Sequence, residues 1–261
     1  MKRTSAVLRR SRAALASVGV MAALLTTDAA AQQAVSRLKG RVVSEKGEPI
    51  ANATVHVEAF YGYAAGTFDG QRTFTATTDK SGSWNVLGIK SGVWLFEVSA
   101  PGFLPETVGL PIRLLTTVSQ MQAGMAFDWQ LILKPIPMPN SERGQVLLNA
   151  SEAVGGGHAD QMRELLARVP ADADAEYLAG AGRIALMGRD RDLANTLFRR
   201  ALERDPSSYR AALGIATCFL LGRDFDSASK VFDAARNRTH DKDEIKFITI
   251  ALTDLATIKV R

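Results

Sequence analysis

A chain of 261 residues, 46% apolar and 23% charged, has the composition of ordinary folded protein and room for two domains, which excludes a disordered tail. Its formal charge of +5 belongs to the first dozen residues, where Lys2, Arg3, Arg9, Arg10 and Arg12 cluster, while the rest lies close to neutral. A near-neutral body excludes a nucleic-acid partner held through phosphate contacts. The single cysteine, Cys218, excludes an intrachain disulfide and reads as a small buried apolar residue.

In chain order, the basic stretch to Arg12 is followed by an apolar run from Ala13 to Leu25 and by Ala29-Ala30-Ala31 before Gln32. Charge, apolar core and small residues in that order predict a secretory signal peptide over residues 1–31 and a protein that is periplasmic or extracellular. The run is short of the about 20 residues that a bilayer span needs, which favours a signal peptide over the alternative reading, an uncleaved anchor. No second run of that kind follows, and the mature chain is expected to carry no transmembrane segment.

From Arg37 to Ile136 the apolar period is two. Strands are expected at Lys39 to Ser44, Ala53 to Phe60, Thr73 to Thr78, Trp84 to Ile89, Val93 to Ser99, Leu104 to Leu110 and Phe127 to Leu133, separated by Gly, Pro and Asp turns. In the fifth, Trp94, Phe96 and Val98 point one way; in the last, Phe127, Trp129, Leu131 and Leu133 share a face. Seven short alternating strands predict an antiparallel β-sandwich with one face of each sheet buried. Lys134-Pro135-Ile136-Pro137-Met138-Pro139 then reads as an extended, semi-rigid linker over residues 134–140.

After Asn140 the period changes to about 3.6. Gly188-Arg189-Asp190, Asp192, Ala194, Phe198 and Ala201 recur as Gly222-Arg223-Asp224, Asp226, Ala228, Phe232 and Ala235, each pair 34 residues apart. Helix pairs repeating at that period must stack on one another to bury their apolar sides. Ser141 to Val154 and His158 to Val169 predict a preceding pair joined at Gly155-Gly156-Gly157, and Asp243 to Ile258 a terminal helix with Ile245, Ile248, Leu252 and Leu255 inward. Pro206 ends one repeat and leaves Ser207 to cap the next helix.

Two resemblances give these halves names. Gly40-Arg41-Val42, Gly47-Glu48-Pro49-Ile50-Ala51-Asn52-Ala53-Thr54-Val55, Thr78-Asp79 with Gly82-Ser83-Trp84, Gly92-Val93-Trp94 and Ala100-Pro101-Gly102-Phe103 resemble the carboxypeptidase regulatory-like domain. That family implies a transthyretin-like, prealbumin-type sandwich over residues 37–136 and a non-catalytic role. The 34-residue period, with Gly182 and Pro206 in place, resembles the tetratricopeptide repeat. The expected class is therefore all-β plus all-α in two domains: a seven-stranded sandwich, then an α-solenoid of about three helix pairs plus a terminal helix over residues 141–261.

Chemistry is scarce. His56, His158 and His240 lie far apart with no ligand spacing, and His240-Asp241-Lys242-Asp243-Glu244 has neither calcium-loop nor zinc-helix spacing. Asp79-Lys80-Ser81-Gly82 reads as a hairpin turn whose aspartate bonds nearby backbone. No nucleophile, base and orienting group can be assembled, so the chain is expected to be no enzyme and to need no cofactor or metal. The tetratricopeptide resemblance implies a peptide groove lined by Arg143, Arg183, Met187, Arg210, Thr217 and Leu221, whose arginines suit a carboxylate-bearing protein or peptide. Tyr61, Tyr63 and Phe68 stand among glycines between strands and suit stacking on a sugar or peptide. The leading expectation is an exported interaction protein acting through its helices. The alternative is a carbohydrate- or cell-surface-binding module carried by the sandwich, with a glycan or envelope component as partner.

Overall fold

Seven strands form where the period-two pattern lies: β1 (Arg37–Ser44), β2 (Thr54–Gly62), β3 (Thr73–Thr77), β4 (Ser83–Leu87), β5 (Gly92–Ser99), β6 (Glu106–Ile112) and β7 (Trp129–Leu133). The structure is a computed structural model that describes residues 37–62, 72–112, 129–137, 139–240 and 242–259. The expected leader, Tyr63 and Phe68 lie outside the described residues, and of Tyr61 only the backbone, in β2, is described. Sheet A has the order β4-β1-β7 and sheet B the order β3-β2-β5-β6. Val42, Trp84, Val86 and Leu131 from sheet A meet Val55, Val57, Trp94, Phe96, Val98, Val108 and Leu110 from sheet B in one core.

The turn motifs have local causes. Thr78, 3% exposed, donates its hydroxyl to Ile50 O (2.7 Å) and accepts from Ala53 N–H (2.8 Å), tying the entry of β2 to the end of β3. Asp79 accepts from Ser81 and Ser83 N–H, as an aspartate in such a turn should. Gly82 has φ of 72°, and a Cβ there would stand 2.4 Å from Val42 O. Only glycine fits that position.

Two expectations about the sandwich are corrected. The pairing is not antiparallel throughout: β7 runs parallel to β1, with Gly40 opposite Trp129 and Ser44 opposite Leu133. Parallel neighbours cannot be joined by a tight hairpin, and β2 to β6 lie between these two strands in the chain. Nor is one face of each sheet open. From Gly92 to Val98 every residue of β5 is buried, and β6 is buried from Thr107 to Ile112. Strands β5 and β6 of sheet B are covered on both sides.

The covering layer is helical: α1 (Glu142–Gly155), α2 (Ala159–Leu166), α3 (Ala175–Met187), α4 (Arg191–Arg204), α5 (Tyr209–Leu221), α6 (Phe225–Arg236) and α7 (Lys242–Lys259). The recurring Gly-Arg-Asp triplet is a junction between paired helices. Gly188 closes α3, Arg189 takes the left-handed conformation at φ 63°, and Asp190 caps α4 by accepting from Leu193 N–H at 3.1 Å. Gly222, Arg223 at φ 60° and Asp224 repeat this between α5 and α6, where Asp224 accepts from Ser227 N–H at 3.0 Å. The cap of α5 is Ser208 rather than Ser207, because Asp205 takes Ser207 into a turn of its own before the helix begins.

Phe198, fully buried, lies between Gly182 and Gly214 of consecutive repeats, and a Cβ on either glycine would enter its ring at 2.8 Å and 2.4 Å respectively. Stacking at this spacing is what makes the 34-residue period visible. The proline stretch is no spacer: Leu104 N–H donates to Lys134 O (2.7 Å), Ile136 N–H donates to Gly102 O (3.1 Å), and Ile136 is 4% exposed within the helical core. Alternate prolines leave the intervening amide free to pair, so this segment is laid down as extended structure. Sandwich, linker and helices form one compact unit from Ser36 to Arg261. Among the described residues no helix is long and apolar enough to cross a membrane.

Candidate functional site

Helices α3 and α5, each the first of its pair, face edge strand β6 of sheet B, as does the terminal helix α7. Helix α3 is buried on every side from Tyr177 to Leu186, and α5 is buried at most positions from Ala211 to Leu220. A helix apolar all round must be covered all round; the second helices take one side of α3 and α5, and the sandwich takes the other. Leu104 and Ile136 join the core of the first repeats, while Val93 joins Ala212, Ala216 and Leu220 with Phe232, Ile248 and Leu255 at the far end. Gly180 lets Leu104 approach so closely that a Cβ would lie 2.9 Å from its Cδ1. At the centre, Gly109 N–H of edge strand β6 donates to Thr217 Oγ1 at 3.0 Å, and Thr217 donates in turn to Leu213 O at 3.0 Å. A side-chain hydroxyl from the repeats thus satisfies an edge amide that no strand pairs.

Charge follows the same division. Glu58 and Glu97 stand on the outer face of sheet B, Glu106 stands at the start of edge strand β6 opposite Val98, and each of the three meets an arginine of the helical layer. Arg189 Nη1 donates to Glu97 Oε1 and Arg189 Nη2 to Glu58 Oε2, both at 2.5 Å. Arg210 Nη1 donates to Glu106 Oε2 at 3.0 Å, with Arg183 Nη1 3.8 Å from the same oxygen. Lys134 bridges Glu45 and Glu176 at 2.9 Å each. Burial pushes the Glu97 carboxyl above its ordinary pKa, with Arg189 pulling the other way. Burial also acts upward on Glu176, but the bond from Lys134 and the charge of Arg183 outweigh it and hold the pKa down. Arg183 is 2% exposed, and its Nε and Nη1 reach no hydrogen-bond acceptor. Such a charge specifies a geometry more than it stabilises one.

The six residues expected to line a peptide groove are therefore distributed as follows. Arg183, Arg210 and Thr217 do lie on the inner side of the stack, but sheet B covers them, so they face the chain's own strands rather than an open channel. Leu221 packs on the repeat core, and Met187 is half-buried at the end of α3. Arg143 points elsewhere and pairs with Asp172 at 3.1 Å. Sequence reasoning missed Arg189, which bonds both Glu58 and Glu97 of sheet B. Its signal was present in the Gly-Arg-Asp junction, where an arginine occupies a left-handed position that usually takes glycine. Cys218 is 5% exposed, and burial pushes its thiol up to about 12, which suits packing and not nucleophilic chemistry. Among the described residues no group of His, Cys, Asp and Glu is placed to hold a metal ion.

Residues 37–122 match the family model of the carboxypeptidase regulatory-like domain, and residues 185–246 match that of the tetratricopeptide repeat. The chain carries a carboxypeptidase regulatory-like domain followed by tetratricopeptide repeats. Similar solved structures include the TPR2B domain–pHsp70 complex of yeast Sti1, at 18% identity over 46% of this chain and 98% of that one, with a TM-score of 0.37. PcrH in complex with the chaperone binding region of PopD is 19% identical over 45% of this chain and 90% of that one, at 0.37. Catechol 1,2-dioxygenase from Acinetobacter sp. ADP1 is 15% identical over 38% of this chain and 52% of that one, at 0.28. No curated protein sequence matches the chain. In the regulatory-like domain three glutamates of sheet B, Glu58, Glu97 and Glu106, supply the carboxylates, and Arg183, Arg189 and Arg210 of the helical layer receive them.

Proposed function

We propose that this protein is an exported, non-enzymatic interaction scaffold, acting in a periplasm or outside the cell, whose tetratricopeptide repeats bind protein. The observation that carries the reading is the arginine-lined inner side of the repeats holding three glutamates and an edge strand of the regulatory-like domain. The repeats already do within this chain what the residue pattern suits them for, which is to hold carboxylate-bearing protein. Because that side is filled, an external protein partner meets the outward helices α2, α4 and α6, whose charged residues Arg199, Glu203 and Lys230 are exposed. The signal-like leader supports export.

The test is photo-crosslinking in cells, with a photoreactive residue placed in turn at Arg199, Glu203 and Thr217. A discrete polypeptide adduct from Arg199 or Glu203, and none from Thr217, is the expected result. An adduct from Thr217 would mean that the sandwich leaves its seat to admit the partner; no adduct from any position would refute the scaffold reading.

A further inference from the structure

Helix α7 follows α5 as α5 follows α3. At each step of 34 residues, Leu178, Ala181, Gly182 and Ala185 become Ala212, Ile215, Ala216 and Phe219, and these become Lys246, Thr249, Ile250 and Thr253. Each set is spaced i, i+3, i+4, i+7 and so lies on one helix face. In α3 all four residues are buried; in α5 the first three are buried and Phe219 is half-buried. Their cover is the second helix of the repeat. Phe198 of α4 lies against Gly182, and Ala228 and Phe232 of α6 share a core with Ala212 and Ala216. In α7 the corresponding four residues are exposed, Ile250 at 36%, and no helix follows among the described residues. Helix α7 faces β6 as α3 and α5 do, so it is a first helix whose second-helix side is bare.

We propose that this bare face is where a second copy of the chain docks, α7 packing antiparallel on its counterpart about a two-fold axis. The residue at the central position does not suit a second helix of the kind found inside the stack. Gly182 leaves room for the Phe198 ring and Ala216 shares its core with Phe232, whereas Ile250 fills that place with its own branched side chain. Ile250 is thus a knob, and the smaller Thr253 and Ala256, exposed further along the same face, leave a shallow hole beside it. A face that carries both knob and hole is complementary to itself, as a two-fold contact requires. With Ile250 set over Thr253 of the second copy, Thr249 falls near Ala256 of that copy. Lys246, the one charged residue in the row, then stands about 17 Å along the helix from its counterpart, beyond the screening length at physiological salt. The contact continues the stacking interface of the repeats and uses none of the outward faces of α2, α4 and α6. It is therefore independent of the protein-binding reading.

Residues 36–261 hold all three cores in one compact unit and carry the test without the leader. One helix pair is a small interface, so a reversible dimer with Kd on the order of 10 μM is expected. Sedimentation equilibrium from well below to well above that concentration should show monomer and dimer only. Ile250 has 36% of its surface left to bury in each copy, so Ile250→Ser should weaken dimerisation about tenfold per copy, on the order of 100-fold in all. Thr249→Glu, at an exposed position, should also abolish the dimer in that range and leave the far-UV circular dichroism unchanged. Leu87→Ser, which removes an exposed apolar side chain of the sandwich, should leave the dimer as it is. A protein that stays monomeric at every concentration overturns the proposal, as do dimers that survive both α7 variants or are lost with Leu87→Ser. Species larger than a dimer would mean a head-to-tail contact and refute the two-fold arrangement.

Discussion

Thr217→Val removes one hydroxyl and keeps the shape of the side chain, at a position with no solvent exposure. In the native protein that hydroxyl accepts from Gly109 N–H at 3.0 Å, across 108 positions of sequence. The valine variant leaves this amide buried with no acceptor, whereas Leu213 O retains its helical partner. An orphaned buried N–H costs about 1–3 kcal/mol. For a cooperative unit of this size each kcal/mol lowers Tm by about 2–4 °C, so a fall of about 2–12 °C is expected. Thr196 provides the control: it makes the same backward bond, to Asp192 O at 3.0 Å, but is exposed and touches no strand, so Thr196→Val should change stability by less than about 0.5 kcal/mol. Far-UV circular dichroism, weighted to helix, and tryptophan fluorescence, weighted to Trp84 and Trp94 in the sandwich, should follow one shared transition that Thr217→Val moves as a whole. If Thr217→Val behaves like its control, or shifts the helical signal and leaves the sandwich signal in place, the two layers are not one folding unit and the seating of β6 on α5 is wrong.

Gly214→Ala would push a Cβ to 2.4 Å from a Phe198 ring that Gly182 confines on its other side, and should destabilise by about 1–3 kcal/mol in chemical denaturation. Adding Phe198→Leu should make the double variant less impaired than the two costs summed, and simple additivity would count against the stacking. Arg189→Gln leaves Glu97 buried with less to offset its charge, so its folded pKa should rise further above the ordinary 4.5. A carboxyl with a raised folded pKa keeps its stability below its unfolded pKa and loses it as pH rises through the folded one. Because the guanidinium is 44% exposed, the loss in the variant should be modest, about 1–2 kcal/mol at pH 8, and should vanish by about pH 4. A pH-independent difference in denaturation midpoints would exclude this role. Cys218 should resist alkylation at pH 8 in the native state and react only at the rate of unfolding; rapid labelling of the folded protein would contradict its burial.

Much of the fold is written locally. Strand positions follow from side chains alternating at period two, and the repeats from Phe198 and Phe232 at identical places in successive helix pairs. The Gly-Arg-Asp triplets mark junctions because a helix end, a left-handed residue and an N-cap must follow in that order. Even the double burial left a trace: Val93-Trp94-Leu95-Phe96 is apolar without a break, and α3 and α5 have no polar face. Sequence-based reading took the first as a one-sided strand and the second as a groove wall, since a period reports that a face is covered and not by what.

What the sequence determined by itself was a set of elements, their kinds, and which pairs of helices repeat; each depends on residues within a few positions, or one repeat, of each other. Only the tertiary structure decided that the repeats close over sheet B. The deciding pairs, Glu97 with Arg189 and Gly109 with Thr217, are 92 and 108 residues apart. A carboxylate and an arginine so distant share no period. They become partners only when burial of sheet B brings them to one interface, where leaving either charge without the other would cost more than their meeting.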